Sequence, residues 1–273
     1  MCTQILQRPT LQRRSQARFS TLPQLADEES KAQEKKLIPE TLRHLMRGIP
    51  SSVVVLTTSV TKPDLIGAAQ RGPESYYRGM TLSSFTTLSL APPLITFNIR
   101  APSRTLSAIR QSKAFFIHVL ETNQEAATIA DSFTRGNTDG HEVSEAFRPR
   151  YGSFKVQSMP FELQYASVSV SGHMEVDLPR LVGKGVKRVL GCELYRNPTS
   201  LDPSVADGLI EVGEHVLVVA KVTAIFPNEG LVQTEKEGEY ALSYVDGRYR
   251  MVGRTIMAHD TKNDAVRRSD GIV

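Results

Sequence analysis

Residues 79–94 read Gly-Met-Thr-Leu-Ser-Ser-Phe-Thr-Thr-Leu-Ser-Leu-Ala-Pro-Pro-Leu. Small hydroxyl residues alternate with apolar ones until a double proline stops the run. Alternation of period two marks a strand with two unlike faces. A solvent-facing strand ordinarily carries charge on its polar side. This one carries only hydroxyls, with no Lys, Arg, Asp or Glu over the whole stretch. Such a surface suits a ligand that takes many short hydrogen bonds and approaches the backbone closely.

The surrounding pattern is mostly strands. Residues 39–47 predict a short helix with Pro39 and Glu40 in its first turn and Gly48 as its stop. Strands are predicted at 52–58, along the hydroxyl stretch, and at 94–99, 114–120, 161–177, 186–195 and 215–226. A final hairpin is predicted over 240–250 around Asp246-Gly247. Ser103 predicts the cap of a helix reaching about Gln111, with Leu106 and Ile109 inward. Thr122 to Glu125 reads as a capping box ahead of a helix bearing Ala126, Ile129, Ala130 and Phe133. Residues 59–78 and 198–208 read as long loops. Strands and helices do not alternate in the βαβ manner. The expected class is therefore mainly β, a β-barrel with flanking helices.

Several chemistries are excluded by what the motifs lack. Gly183-Lys184-Gly185 fits neither G-x-G-x-x-G, since residue 188 is Arg, nor the P-loop, since residue 185 is Gly, and it reads as a turn. H-E-x-x-H, C-x-x-C and G-x-S-x-G are absent. The net charge of +4 over 273 residues is mild and concentrated near the N-terminus, which gives nucleic acid no support. No apolar run is long enough to predict a membrane span. Cys2 and Cys192 are far apart and predict neither a disulfide nor a metal site. If the chain is an enzyme, its chemistry belongs to a cofactor.

Residues 1–26 hold Arg8, Arg13, Arg14 and Arg18 and no acid, the composition of an organelle transit peptide. A mitochondrial matrix location is expected, with a cytoplasmic protein bearing a basic tail as the alternative. Residues 27–38 read as a charged linker, 39–252 as the folded domain and 253–273 as a tail.

A flavin would fit the hydroxyl strand: it needs a flat slot, hydrogen bonds at its ring edge and an anion site for phosphate. Arg100-Ala101-Pro102-Ser103-Arg104-Thr105 lies between a strand and a helix start, where free N–H groups and the helix dipole favour a phosphate. Read alone, Ser103 is a plain N-cap beside a solvated Arg104. The hydroxyl strand and Pro-Pro turn just before it favour the phosphate reading.

The ordered set Gly79-Met80-Thr81-x-Ser83-Ser84-Phe85-Thr86, Ser89-Leu90-x-Pro92-Pro93-Leu94 and Ser103-Arg104-Thr105 resembles the flavin reductase-like family of FMN-binding split barrels. That group includes reductase components of two-component monooxygenases. Residues 44–58, Phe115 to Leu120, Gly213-Glu214-His215 and Tyr244 to Tyr249 extend the resemblance over about residues 40–250.

The resemblance implies a six-stranded Greek-key-type split barrel, a homodimer, bound FMN with FAD possible, and NADH or NADPH as donor. Hydride transfer to the flavin would then serve a partner monooxygenase or another acceptor. A sensor or assembly module lacking reductase activity, or an interaction protein with a decayed site, is the alternative. By position, Met80, Thr81, Leu82, Ser83 and Ser84 would line the flavin edge and ribityl chain, Asn98 and Arg100 would lie near ribityl and phosphate, and Ser103, Arg104 and Thr105 would hold the phosphate. His215 falls either near the ring, where nicotinamide docks, or in a plain strand bonded to a nearby loop. Arg78 reads as a solvated loop arginine, with a part in the anion site as the alternative. His118 stands where the family often has Asn, and both long loops depart from the family pattern.

Overall fold

The computed structural model describes residues 37–60, 76–134, 147, 154–163, 175–196, 207–228 and 240–253. The transit and linker expectations for 1–36, most of the 59–78 and 198–208 loops, and the 164–174 part of the expected 161–177 strand lie outside these residues. The chain divides into two compact units, Met1–Ile49 and Pro50–Val273.

In the first unit, helix α1 spans residues 37–47. It closes on the Gly48 N–H to Leu45 carbonyl bond of 3.1 Å, the tightened last turn that a following glycine permits. Leu42, Leu45 and Met46 of the expected apolar face are exposed.

The second unit is built on antiparallel strands. Its main sheet has eight strands, in the order β3(Tyr77–Leu82), β2(Val54–Ser59), β6(Ala114–Leu120), β9(Val186–Leu194), β11(His215–Pro227), β5(Pro93–Arg100), β4(Thr86–Leu90), with β10(Leu209–Val212) paired to β11. Among the described residues this sheet thus holds eight strands, the edge strand β4 and the side-paired β10 included, beside the six of the expected split barrel. β10 lies between the expected 198–208 loop and the expected 215–226 strand, in residues to which no element was assigned. It forms a hairpin with β11 around Gly213 and Glu214, Gly213 taking the positive φ of 57° that the turn requires.

The two ends of this sheet, β3 and β4, are consecutive in the chain. They come from the single hydroxyl strand expected at 79–90. Residues Ser83 to Phe85 break it, and beyond the break the alternation fails, because β4 is an edge strand exposed along nearly its whole length.

Each sheet face carries its own core. Val54, Leu56, Leu82, Phe97, Ile99, Phe115 and Ile117 pack with Leu106 and Ile109 of α2(Arg104–Ser112). Val53, Val55, Phe116, Leu120 and Val189 pack on the other side with Ala126, Ile129 and Phe133 of α3(Gln124–Thr134). Gly79 lets α3 approach: a Cβ there would meet Phe133 ring carbons at 2.8 Å. The cap of α3 is Asn123, whose Oδ1 accepts the Ala126 N–H at 2.8 Å. It lies one residue beyond the expected Thr122 and captures the N–H of the third helical residue, as an N-cap does.

The expected 161–177 strand is replaced at its ends by β7(Lys155–Glu162) and β8(Glu175–Val182), a separate two-stranded sheet. Side chains attach β8 to the main sheet at every second residue. Ser59 Oγ donates to the Asp177 carbonyl, Thr57 Oγ1 to the Pro179 carbonyl, and the Leu181 N–H donates to His118 Nε2. The Gly183–Gly185 turn then leads to β9. It is not loose, since Asn228 Nδ2 donates to the carbonyls of Gly183 and Val186.

A third sheet joins β1(Ser51–Ser52) to the hairpin β12(Ser243–Val245)–β13(Arg248–Arg250). Asp246 and Gly247 both have positive φ, 50° and 75°, as a two-residue hairpin turn demands.

Candidate functional site

The expected site residues sit on four elements that meet: the end of β3 with its following bend, the end of β5, the start of α2 and the start of β11. Ser84 Oγ accepts the Asn98 N–H at 3.0 Å, tying the bend to β5. Ser52 Oγ donates to the Phe85 carbonyl at 2.6 Å and ties the same bend to β1. Through the Ser52–Ser243 pairing, the C-terminal hairpin braces it from behind. Tyr249 of that hairpin has its phenol pushed up to about 12, by burial first and then by the charges of Asp131 and Tyr244.

Neighbouring contacts fix the other end. Thr105 Oγ1 lies 3.5 Å from the Gly79 carbonyl, so the first turn of α2 rests on β3. Arg100 stands opposite His215 in the β5–β11 register. Arg100 Nη2 meets Glu214 Oε2 at 2.9 Å, with both side chains 73% exposed, an ion pair that contributes little to stability. The Ala101 N–H donates to the Glu214 carbonyl at 2.8 Å.

The hydroxyls divide by role. Ser83 is exposed and Ser84 half-buried, and the Asn98 side chain beside them is exposed. Thr81 is different: its hydroxyl donates to the Ala130 carbonyl of α3 and is thereby turned to the structure rather than to a ligand. Met80 and Leu82 face the core shared with Phe97 and Ile99. Ser103 is 8% exposed, and its Oγ accepts the Leu106 N–H at 3.3 Å as the N-cap. Thr105 is buried. The anion-binding capacity of 103–105 therefore resides in the exposed Arg104 and the leading N–H groups of α2, which have no partner within the helix. The first turn of α2 holds no acid to oppose them.

Two residues near this end gain a definite place: Glu214, which had no expected role, and Arg78, for which a part in the anion site was the alternative to a solvated loop position. Glu214 holds Arg100, a partnership visible only once β10 and β11 form their hairpin. Arg78 belongs to β3 and is half-buried on the side of α2. Its guanidinium is held below its ordinary value by burial first and by the positive field of Arg104 second. The available signal was the alternation itself, which puts 78 in phase with Met80 and Leu82.

Cys192 is buried, and burial pushes its thiol up, so it is no nucleophile. Among the described residues, no three His, Cys, Asp or Glu side chains are grouped to hold a metal, and no helix is long and apolar enough to cross a membrane.

Residues 46–253 match the family described as flavin reductase like domain. The chain belongs to that family. It is 25% identical over 171 residues to NADH:FMN oxidoreductase of Rhodococcus qingshengii, covering 63% of this chain and 66% of that one. It is also 25% identical over 193 residues to the stachydrine N-demethylase reductase subunit of Rhizobium meliloti, covering 71% and 60%. The chain thus spans somewhat under two thirds of the length of these relatives. Nitrilotriacetate monooxygenase component B from Mycobacterium thermoresistibile shares the fold, with a TM-score of 0.53 at 18% identity, covering 82% of this chain and 93% of that one.

Proposed function

We propose that this chain is an NAD(P)H-dependent flavin reductase that uses FMN. The observation that carries this reading is the family match over the segment in which the Ser83–Phe85 bend, the end of β5 and the start of α2 converge. The donor set fits a flavin nucleotide: neutral donors at the bend suit a ring edge and ribityl chain, and a cationic, acid-free helix start suits a phosphate.

Ser83, Ser84 and the backbone of Met80 to Leu82 would hold the ring and ribityl chain. Asn98 would take the ribityl hydroxyls, and Arg104 with the first N–H groups of α2 the phosphate. When bound, the flavin supplies the two-electron chemistry, accepting a hydride from the reduced nicotinamide. The chain's own task is positioning: it holds two planar rings in register and supplies no nucleophile or general acid. His215, exposed at the start of β11 beside Arg100, is placed by this reading at the nicotinamide approach. FMN is supported as cofactor and NADH as donor by the name of the Rhodococcus relative. An oxygenase as acceptor is supported by the reductase-subunit name of the Rhizobium relative.

The same reading takes the protein as a homodimer. Leu88 and Leu90 of edge strand β4 support it, Leu90 being 84% exposed, since an open apolar edge favours pairing with another strand. Matrix import through residues 1–26 is supported by their acid-free, arginine-bearing composition. A reporter fused behind residues 1–26 tests it: mitochondrial signal supports import and cytosolic signal refutes it. The activity is tested by FMN titration followed by NADH and NADPH oxidation assays. Flavin binding with flavin-dependent nicotinamide oxidation supports the proposal, and flavin binding without oxidation of either NADH or NADPH refutes it.

A further inference from the structure

Arginines are unevenly placed around the start of α2. Arg100 is engaged by Glu214 at 2.9 Å. Arg104 opens the helix, exposed. Arg78 comes from a different element. Successive strand residues point to opposite faces, and Met80 of β3 packs with the core that includes Leu106 and Ile109. Arg78, two residues earlier, is therefore directed to the side of α2.

The register agrees. Arg78 pairs with Thr58, and Thr58 Oγ1 lies 2.9 Å from Ser112 Oγ of α2. The next residue, Gly79, receives Thr105 Oγ1 at its carbonyl. Helix α2 thus starts over β3 and ends over β2, and Arg104, next to Thr105, lies at the β3 end, where its charge acts on Arg78. Arg78 is fixed there by its Nη1, which donates to the Tyr77 carbonyl at 2.7 Å.

Two guanidiniums directed to one place, one of them half-buried, offer a dianion two cationic partners at once. A phosphate monoester carries nearly two negative charges near neutral pH, and the planar guanidinium fork matches its oxygens. We propose that Arg78 is a second phosphate-binding residue of the flavin site, acting with Arg104 on the terminal phosphate of FMN. The inference rests on the flavin reading above and extends it to a preference for phosphorylated flavin over riboflavin.

The test titrates FMN and riboflavin, by flavin fluorescence, into the full chain and its Arg78→Gln and Arg78→Lys variants. Arg78→Gln weakens FMN roughly ten- to a hundredfold, the worth of one charge-assisted hydrogen bond. It leaves riboflavin affinity within roughly twofold, because riboflavin has no phosphate to lose. Arg78→Lys keeps the charge and recovers part of the FMN affinity, and it carries the test if the Gln variant fails to fold. Unchanged FMN affinity in both variants overturns the assignment. So does an equal loss for FMN and riboflavin, which would mark Arg78 as a structural residue. A wild-type chain that binds no flavin overturns the flavin reading itself and is seen before any variant is made.

Discussion

The imidazole of His118 accepts the Leu181 N–H at its Nε2, 2.9 Å away, and thereby pins β8 to β6. With Nε2 accepting, Nδ1 must carry the proton and donate to the Val55 carbonyl at 3.0 Å. Burial pushes this imidazole down to about 3, with the Val55 bond opposing and the charge of Arg180 assisting. Protonation at Nε2 would remove the acceptor and place a charge in the core. The neutral form is the one that the fold favours, so its contribution is complete above the ordinary value of 6.5 and is lost as pH falls from there towards 3. The expected slope is roughly 1.4 kcal/mol per pH unit across that window. Comparing wild type with His118→Gln in urea melts across the window checks it, and the variant lacks this slope.

Replacing Gly79 tests how closely α3 sits on β3. In Gly79→Ala the new Cβ meets the Phe133 ring at 2.8 Å and the Leu56 carbonyl at 3.0 Å. Phe133 is buried in a filled core and has little room to retreat. Overpacking of this kind costs about 1–3 kcal/mol. A denaturant midpoint shifted downward by that amount, with the slope unchanged, is the expected result.

Ser103 and Arg104 separate stability from affinity. Ser103→Ala removes the N-cap acceptor of Leu106 and costs about 1 kcal/mol of stability, with FMN affinity little changed. Arg104→Gln does the reverse: an exposed side chain leaves the melting temperature alone, while FMN binding weakens by roughly 1.5–3 kcal/mol. Thermal melts and flavin titrations on the two variants check the pair.

His215→Ala distinguishes the two readings of that histidine. The side chain is exposed at the end of β11, so the melting temperature should not move. If it orients the nicotinamide, the rate of flavin reduction falls by roughly tenfold or more while FMN affinity holds. Stopped-flow reduction at saturating NADH is the measurement.

Much of this fold was legible in the sequence because periodicity reports burial. The strands at 54–59 and 114–120 carry dense β-branched or aromatic runs and are buried on both faces or nearly so, while those at 186–194 and 215–227, also inside the sheet, are buried in part. Ser103, Leu106 and Ile109 were readable for the same reason, as a cap and an inward face. The break at Ser83–Phe85 shows in the sequence only as a slip of phase, where Ser83-Ser84 and Thr86-Thr87 double the hydroxyls without ending the run. What decides the break is the Ser52 bond to the Phe85 carbonyl, across 33 residues of sequence. β8 was equally hidden, because side chains of β2 and β6 rather than a backbone ladder hold it to the main sheet.

The site was legible as a set of residues and less so as a set of roles. The sequence names Thr81, Ser103 and Thr105 as donors to a ligand, whereas their hydroxyls are placed by Ala130, Leu106 and Gly79. A hydroxyl's partner is a tertiary fact that no local pattern encodes. Arg78 shows the opposite case, a charge read first as solvated loop that the strand register and alternation of β3 direct to the side of α2.

Single-turnover reduction tests the central claim most directly. The full chain is loaded with FMN, made anaerobic and mixed with NADH or NADPH while the flavin absorbance near its visible maximum is followed. The account predicts bleaching with at least one nucleotide, at a rate that saturates with nucleotide concentration, and stoichiometric loss of the reduced nicotinamide. A chain that holds FMN and keeps its full absorbance with both nucleotides would contradict it.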